Sequence, residues 1–210
     1  NSTANEFRFL SAETVCSANS SPVAFLLYDR LFAVAKTINS TATEAVTGVP
    51  TRYQSTTQGA ENSSENNFLF IEVSTVLANT AHNWTACTYT DQSGNAGATL
   101  PSLAGIATCA ANRLDMPINT WFCPLAAGDS GIQALTQMQC DALVATGVCD
   151  FVIGHPIAWM PHIQINAHHA DERILTAPNF ARLYDNCCLA ILGMPSAGGN
   201  LTVTGYAEFG

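Results

Sequence analysis

Hydrophobic and polar residues alternate with a period of two in several short stretches of the chain, and turn-forming residues separate these stretches. The clearest examples are residues 68–77 and 132–140. In the second stretch, inward-facing Ile132 and Met138 alternate with outward-facing glutamines. Because successive side chains of a strand point to opposite faces, a period of two predicts half-buried β-strands at both places.

Weaker strand signals extend the pattern along the chain. They cover residues 84–90, 120–125, 148–161, 183–192 and 201–206. Residues 22–35 fit one helical stripe or strands around a turn, and we favour the strand. Pro156 and Pro161 lack a backbone donor, which predicts that the strand over residues 148–161 lies at a sheet edge.

Short strands at regular spacing predict an all-β fold, a β-sandwich or jelly-roll-like body. Residues 1–22 are polar and irregular, and they are predicted to form an extended N-terminal arm. Residues 23–210 are predicted to form one β-sandwich domain, which is long enough to bury a substantial core.

Charge is scarce in this chain. Only 11% of residues are charged, and 16 acidic residues outnumber 7 basic ones, giving a net charge of -9. Nucleic acids and anionic membranes require clustered Lys and Arg, so neither is an expected partner. A surface of Ser, Thr, Asn and Gln favours a protein that is covered by neighbours in an assembly.

Eight cysteines occur without any C-x-x-C spacing, which argues against a zinc site. The spacing is also unlike the framework of a short secreted scaffold. We predict mostly free, buried thiols, with one or two disulfides left open.

The tetrapeptide Gly128-Asp129-Ser130-Gly131 matches the centre of the trypsin-like serine-protease motif, and His82 echoes the histidine of that family. The match ends there, because Ile132 replaces the next glycine and a segment for the orienting aspartate is lacking. We interpret the tetrapeptide as a turn in which Asp129 caps backbone NH groups. No catalytic residue is predicted.

Three histidines, His162, His168 and His169, lie near Asp171 and Glu172 and carry donor atoms suited to a divalent ion. On a strand, the adjacent side chains of His168 and His169 would point to opposite faces and could not bind one ion together. We interpret the segment as a solvated loop. No metal site and no cofactor is predicted.

Three further groups were considered as sites. Trp84, Trp121 and Trp159 suit core and interface positions better than a sugar-stacking platform. His155 is expected to be a packed residue. Asp141, Asp150 and Asp185 are the candidates for a glycosidase carboxylate pair, but spacing alone cannot select a pair.

The order of several segments resembles a group of tailed-bacteriophage structural proteins. The segments are Leu27-Tyr28-Asp29-Arg30-Leu31, Thr51-Arg52-Tyr53, Phe70-Ile71-Glu72-Val73, residues 88–94, residues 124–132 and a strand ending near Pro156. The resemblance covers roughly residues 26–160 and excludes the cysteines. It implies a virion component without catalytic residues, in which the Gly-Asp-Ser-Gly tetrapeptide is a turn.

We therefore expect a structural virion protein that decorates or cements the capsid surface through strand-edge and arm contacts. Its expected partners are the major capsid protein and further copies of itself, most plausibly as a homotrimer. Two alternatives remain open: a neck, tail or fibre-attachment component, and a secreted carbohydrate-binding or hydrolytic β-sandwich. In the last, some of the six N-x-S/T triplets would carry glycans.

Overall fold

The computed structural model describes residues 6–16, 23–118, 120–162, 168–172, 182–195 and 203–209. Within these ranges the chain is all-β and contains no helix, as the alternating pattern predicted. The strands are β1 (Glu6–Cys16), β2 (Val23–Thr37), β3 (Glu44–Ala45), β4 (Phe68–Thr75), β5 (Asn83–Trp84), β6 (Thr88–Asp91), β7 (Ala96–Thr99), β8 (Leu103–Ala104), β9 (Ile132–Met138), β10 (Val148–His162), β11 (His168–Glu172), β12 (Arg182–Tyr184), β13 (Leu189–Pro195) and β14 (Val203–Phe209).

The chain divides into two compact units. The central unit is Arg30–His155, and the terminal unit combines Asn1–Asp29 with Pro156–Gly210. The long strands β2 and β10 each contribute residues to both units.

The core of the central unit forms around β4, β9 and β10. Strand β10 pairs antiparallel with β4, from Val148 opposite Thr75 to Gly154 opposite Phe68. Both faces of β4 are buried near its start, whereas β9 alternates between buried and half-buried residues. Strand β9 also joins the sheet of order β3-β9-β6-β7. The strands predicted over residues 68–77 and 132–140 are therefore confirmed.

The terminal unit contains two sets of antiparallel pairs. Strand β13 pairs with the first half of β2, with Ile191 opposite Leu27 and Gly193 opposite Phe25. Strand β1 pairs with β11, β12 and β14. Because Glu6–Cys16 pairs along its length within its own unit, an extended N-terminal arm is not confirmed, and neither is a sandwich or jelly roll.

Three predictions about individual strands are wrong. Residues 120–125 form no strand, since Pro124 has no donor and only the Cys123 amide reaches β4, at 2.7 Å from the Leu69 oxygen. The strand predicted over 84–90 is interrupted between β5 and β6. Strand β10 is not at an edge, because it lies between β2 and β4 in the sheet order. Its prolines follow Gly154, the last residue paired with β4, so no donor toward β4 is lost.

Candidate functional site

A buried aspartate, Asp115, holds together the loops of the central unit. Its carboxylate is fully buried and accepts a hydrogen bond from His82 Nε2 at 2.8 Å and from Trp84 Nε1 at 2.7 Å. Its other oxygen, Oδ1, accepts a hydrogen bond from the Ile106 amide at 2.6 Å. The Cys149 Sγ lies 3.7 Å from Oδ2, the oxygen that His82 and Trp84 contact. We call these five residues the Asp115 cluster.

His82 is buried within the Asp115 cluster with both ring nitrogens occupied. Its Nδ1 lies 3.0 Å from the Thr80 carbonyl oxygen, which can only accept, and its Nε2 faces the carboxylate of Asp115. The hydrogen bond with Asp115 raises the pKa of His82, although burial opposes this. Both ring nitrogens are thus directed at protein oxygens, and the Asp115 carboxylate and the Thr80 carbonyl favour the form of the ring that is protonated on both nitrogens.

Gly105 allows the imidazole to lie against the backbone. A Cβ at this position would lie 2.1 Å from His82 Nε2, well inside van der Waals contact. The Gly105 amide also donates to the His82 carbonyl oxygen at 3.0 Å. The Asp115 cluster is thus a close-packed set of hydrogen bonds that joins loops to strands β5 and β10, and its role is structural.

Ser130 belongs to a different environment from His82. Its amide donates to Gln92 Oε1 at 3.0 Å, and its carbonyl oxygen accepts the Asn66 amide at 2.9 Å. Because His82 is directed at Asp115, the structure does not bring the two protease-like residues together as a nucleophile and base.

The turn predicted over the Gly-Asp-Ser-Gly tetrapeptide is found one to two residues earlier: the Asp129 amide donates to the Ala126 oxygen at 3.1 Å, and Gly131 already bridges to Glu65. Asp129 does not have the predicted role either. Its carboxylate accepts a hydrogen bond from the Tyr89 hydroxyl, and Gln92 accepts the turn amides instead. Burial and the contact with Asp129 raise the pKa of Tyr89 to about 12. The tyrosine therefore stays protonated and fixes the turn to β6.

The other candidate residues are also held by structural contacts. His155 stacks on Tyr53 with ring centroids 3.8 Å apart, and its Nδ1 lies 2.8 Å from Asn67 Oδ1, so it is a packed residue as predicted. Asp141 accepts the backbone and side-chain NH groups of Asn83 at 2.7 and 2.8 Å. These bonds lower the pKa of Asp141, which is unsuited to a general acid.

The tryptophans do not form one platform. Trp84 is 2% exposed and packs edge-on against Phe151, so it cannot stack on a sugar at the surface. Trp121 and Trp159 are partly exposed. A surface platform that includes the Trp84 ring is therefore excluded.

The described thiols of the central unit are free and buried, as predicted. They belong to Cys87, Cys109, Cys123, Cys140 and Cys149. Burial raises the pKa of Cys87 and of Cys109 to about 11, so both are protonated near neutral pH. Inert thiols of this kind act as small hydrophobic side chains.

No group of three or more His, Cys, Asp or Glu side chains within the described ranges is arranged to hold a metal ion. The backbone of His168 and His169 forms part of β11, but the side chains of His162, His168 and His169 lie outside what the structure describes. Where the structure describes the chain, none of its segments is a helix with the length and apolarity that spanning a bilayer requires.

Strand β4 has a covered outer edge. Residues 112–115 bond to it through the backbone: the Asn112 amide donates to the Val73 oxygen, and the Asp115 amide donates to the Ile71 oxygen, both at 2.8 Å. These contacts occupy backbone groups that would otherwise be open for pairing.

Among the described strands, β13 is the last one on its side of the sheet of order β13-β2-β10-β4. It pairs with β2 on one side, and no described strand pairs with it on the other. Its side chains Leu189 and Ile191 are 37% and 59% exposed. The strand carries no charge, and residues 186–207 contain no Asp, Glu, Lys, Arg or His. We call this side of β13 the open edge.

Strand β13 contacts buried residues of β2. Phe25 of β2 is buried, and a Cβ built on Gly193 would lie 3.6 Å from its ring. The amide of Cys188, just before β13, donates to the buried carboxylate of Asp29 at 2.8 Å. Strand β13 is therefore joined to β2 by backbone pairing and to Asp29 through the Cys188 amide, and its exposed residues lie on this pair of strands.

Comparison with known proteins yields no match to a protein-family model, to a curated protein or to a solved structure. The resemblance to phage structural proteins therefore stays a prediction.

Sequence reasoning missed both features that organise this site. Asp115 lies in a loop, and its partners His82 and Trp84 are 33 and 31 residues away. A strand near Leu189 was predicted, but periodicity does not indicate which strands lie at an edge. The charge-free run of residues 186–207 was the available signal for the open edge.

Proposed function

We propose that this chain is a structural virion protein that decorates or cements the capsid shell. The observation that carries the proposal is the open edge of β13, an apolar strand with exposed Leu189 and Ile191 and no charged residue.

An open edge of this kind is costly for a protein that stays alone. It presents unpaired backbone NH and C=O groups beside exposed apolar side chains, which is a template for pairing with another chain. Isolated proteins protect such edges with Lys, Pro, bulges or covering loops, as residues 112–115 do for β4. Within the seven residues of β13, Pro195 at its end is the one that offers such protection. An edge left open in this way fits a protein whose surface is covered after assembly.

The charge balance favours protein partners. A net charge of -9 with 7 basic residues gives no cationic surface for nucleic acid or an anionic membrane. The proposed partners are the major capsid protein and further copies of the chain. The proposal relies on the strand edge rather than on an arm, because Glu6–Cys16 pairs with strands of its own unit.

Quantitative mass spectrometry of purified particles from the virus that encodes the chain tests this function. We expect the chain in a fixed, symmetry-related ratio to the major capsid protein. Particles that lack the chain should lose their contents at a lower temperature, and added purified chain should restore the wild-type temperature. Bovine serum albumin at equal concentration serves as the addition control.

Two other results would overturn the proposal. A few copies per particle would indicate a neck, tail or fibre component instead. Absence from particles together with binding to a glycan array would indicate a carbohydrate-binding protein, although the burial of Trp84 leaves only Trp121 and Trp159 as exposed stacking rings.

A further inference from the structure

We propose that the open edge of β13 pairs antiparallel with the same edge of a second copy of this chain. The inference rests on the proposed assembly function and names the partner of the edge. It does not depend on which particle, if any, the assembly joins.

The composition of the edge is self-complementary. Every residue of β13 is uncharged, from Leu189 to Pro195, so two copies can approach here without burying or opposing a charge. Elsewhere the two chains repel, because each carries a net charge of -9. A contact between copies is therefore favoured at an uncharged segment, and residues 186–207 form one.

Symmetry fixes which side chains meet. Two identical edges that pair antiparallel are related by a two-fold axis, and the contact is isologous. If this axis is perpendicular to the sheet, the same face of β13 points to the same side of the joined sheet in both copies. Leu189 and Ile191 share a face, so each would lie opposite a residue from that same face of the copy. Cross-strand apolar pairs of this kind stabilise antiparallel sheets.

The size of the contact indicates a modest affinity. Strand β13 has seven residues, which corresponds to a paired edge of roughly 24 Å at about 3.4 Å per residue. A contact made through a single strand edge belongs with the small specific interfaces, which bury less than about 1,200 Å². We therefore expect association that depends on concentration, with a dissociation constant roughly in the micromolar range.

The two-fold pairing differs from the trimer that the sequence led us to expect. In a closed trimer each interface joins two different surfaces, so β13 would have to pair with another segment of the neighbouring copy. The mass of the assembly separates the two arrangements.

Sedimentation equilibrium of the full chain over a concentration series tests the inference. We expect a shift from 22.2 kDa to twice that mass, and we expect added salt to strengthen association by screening the net repulsion. Ile191→Lys places like charges beside each other at the pairing edge and should weaken association roughly tenfold or more. Leu143→Lys is the matched control, because Leu143 is also 59% exposed and the charge change is the same.

Hydrogen exchange of the wild-type chain provides a second measurement that needs no variant. About half of the β13 amides point to the open edge, and their exchange should slow as concentration rises. A monomer at all concentrations, a trimeric mass, unchanged exchange in β13, or equal weakening by Ile191→Lys and Leu143→Lys would each overturn the inference. The proposed function is tested separately, because copy number in particles is measured without reference to the mass of the isolated chain.

Discussion

Replacing Asp115 by asparagine tests whether the Asp115 cluster holds the central unit together. The carboxylate accepts from three donors, His82 Nε2, Trp84 Nε1 and the Ile106 amide, at 2.8, 2.7 and 2.6 Å. An asparagine side chain has one acceptor oxygen and one NH₂ group. In either orientation its NH₂ group faces at least one of these donors, and that donor loses its partner.

The magnitude follows from these contacts. A buried donor left without a partner costs about 1–3 kcal/mol, and the substitution also breaks the fully buried contact between His82 and Asp115. Removing one partner of a buried, hydrogen-bonded pair of ionisable side chains costs about 3–5 kcal/mol in total. We expect Asp115→Asn to lower the free energy of unfolding by that amount, a large part of the roughly 5–15 kcal/mol typical of a folded protein.

Urea unfolding followed by tryptophan fluorescence and circular dichroism measures the loss. Asp141→Asn is the matched control, since Asp141 belongs to the same unit, is exposed and accepts two hydrogen bonds from Asn83. This control should cost less than about 1 kcal/mol. Equal losses in the two variants, or a loss below about 1 kcal/mol for Asp115→Asn, would refute the reasoning.

Two further predictions concern pH and thiol reactivity. The pKa of His82 is raised in the folded state, so the stability it contributes is complete below its unfolded pKa of about 6.5 and is lost as pH rises through the folded pKa. The difference in unfolding free energy between wild type and His82→Gln, measured by urea titration, should therefore shrink from pH ~6 to pH ~9; a difference that grows would contradict the assignment. Cys188 is exposed, whereas burial raises the pKa of Cys87 to about 11, so peptide mapping after maleimide treatment of the native chain should find Cys188 modified and Cys87 unmodified until denaturant is added. The control is Cys188→Ser, in which no label should be found at position 188. Labelling of Cys87 in the native chain would contradict its burial.

The sequence predicts the strands of this fold better than their arrangement. The alternation over β9 and the apolar residues of β4 were sufficient to identify both strands, because one or both faces of each are buried. The position of β10 was mistaken since Pro156 and Pro161 suggested an edge, although both prolines follow the residues that pair with β4. A missing donor has no cost where no partner strand requires it.

The candidate site was harder to predict because its contacts join distant parts of the chain. No residue near Asp115 in sequence marks it as the hydrogen-bond partner of His82. Strands β5 and β8 and the loop that carries Asp115 come together only in the folded chain. The protease-like tetrapeptide, by contrast, was interpreted as a turn, and its first residue does lie in one: Gly128 adopts a φ of 98°, which other residues rarely tolerate.

The single lysine of the chain, Lys36, is buried and paired with Glu44. Its side-chain amine is therefore shielded from the amine-reactive reagents used to map contacts in large assemblies. Cross-linking with such reagents would therefore report little about the neighbours of this protein through its lysine side chain. Reagents that couple carboxyl groups suit it far better, because acidic side chains outnumber basic ones by 16 to 7.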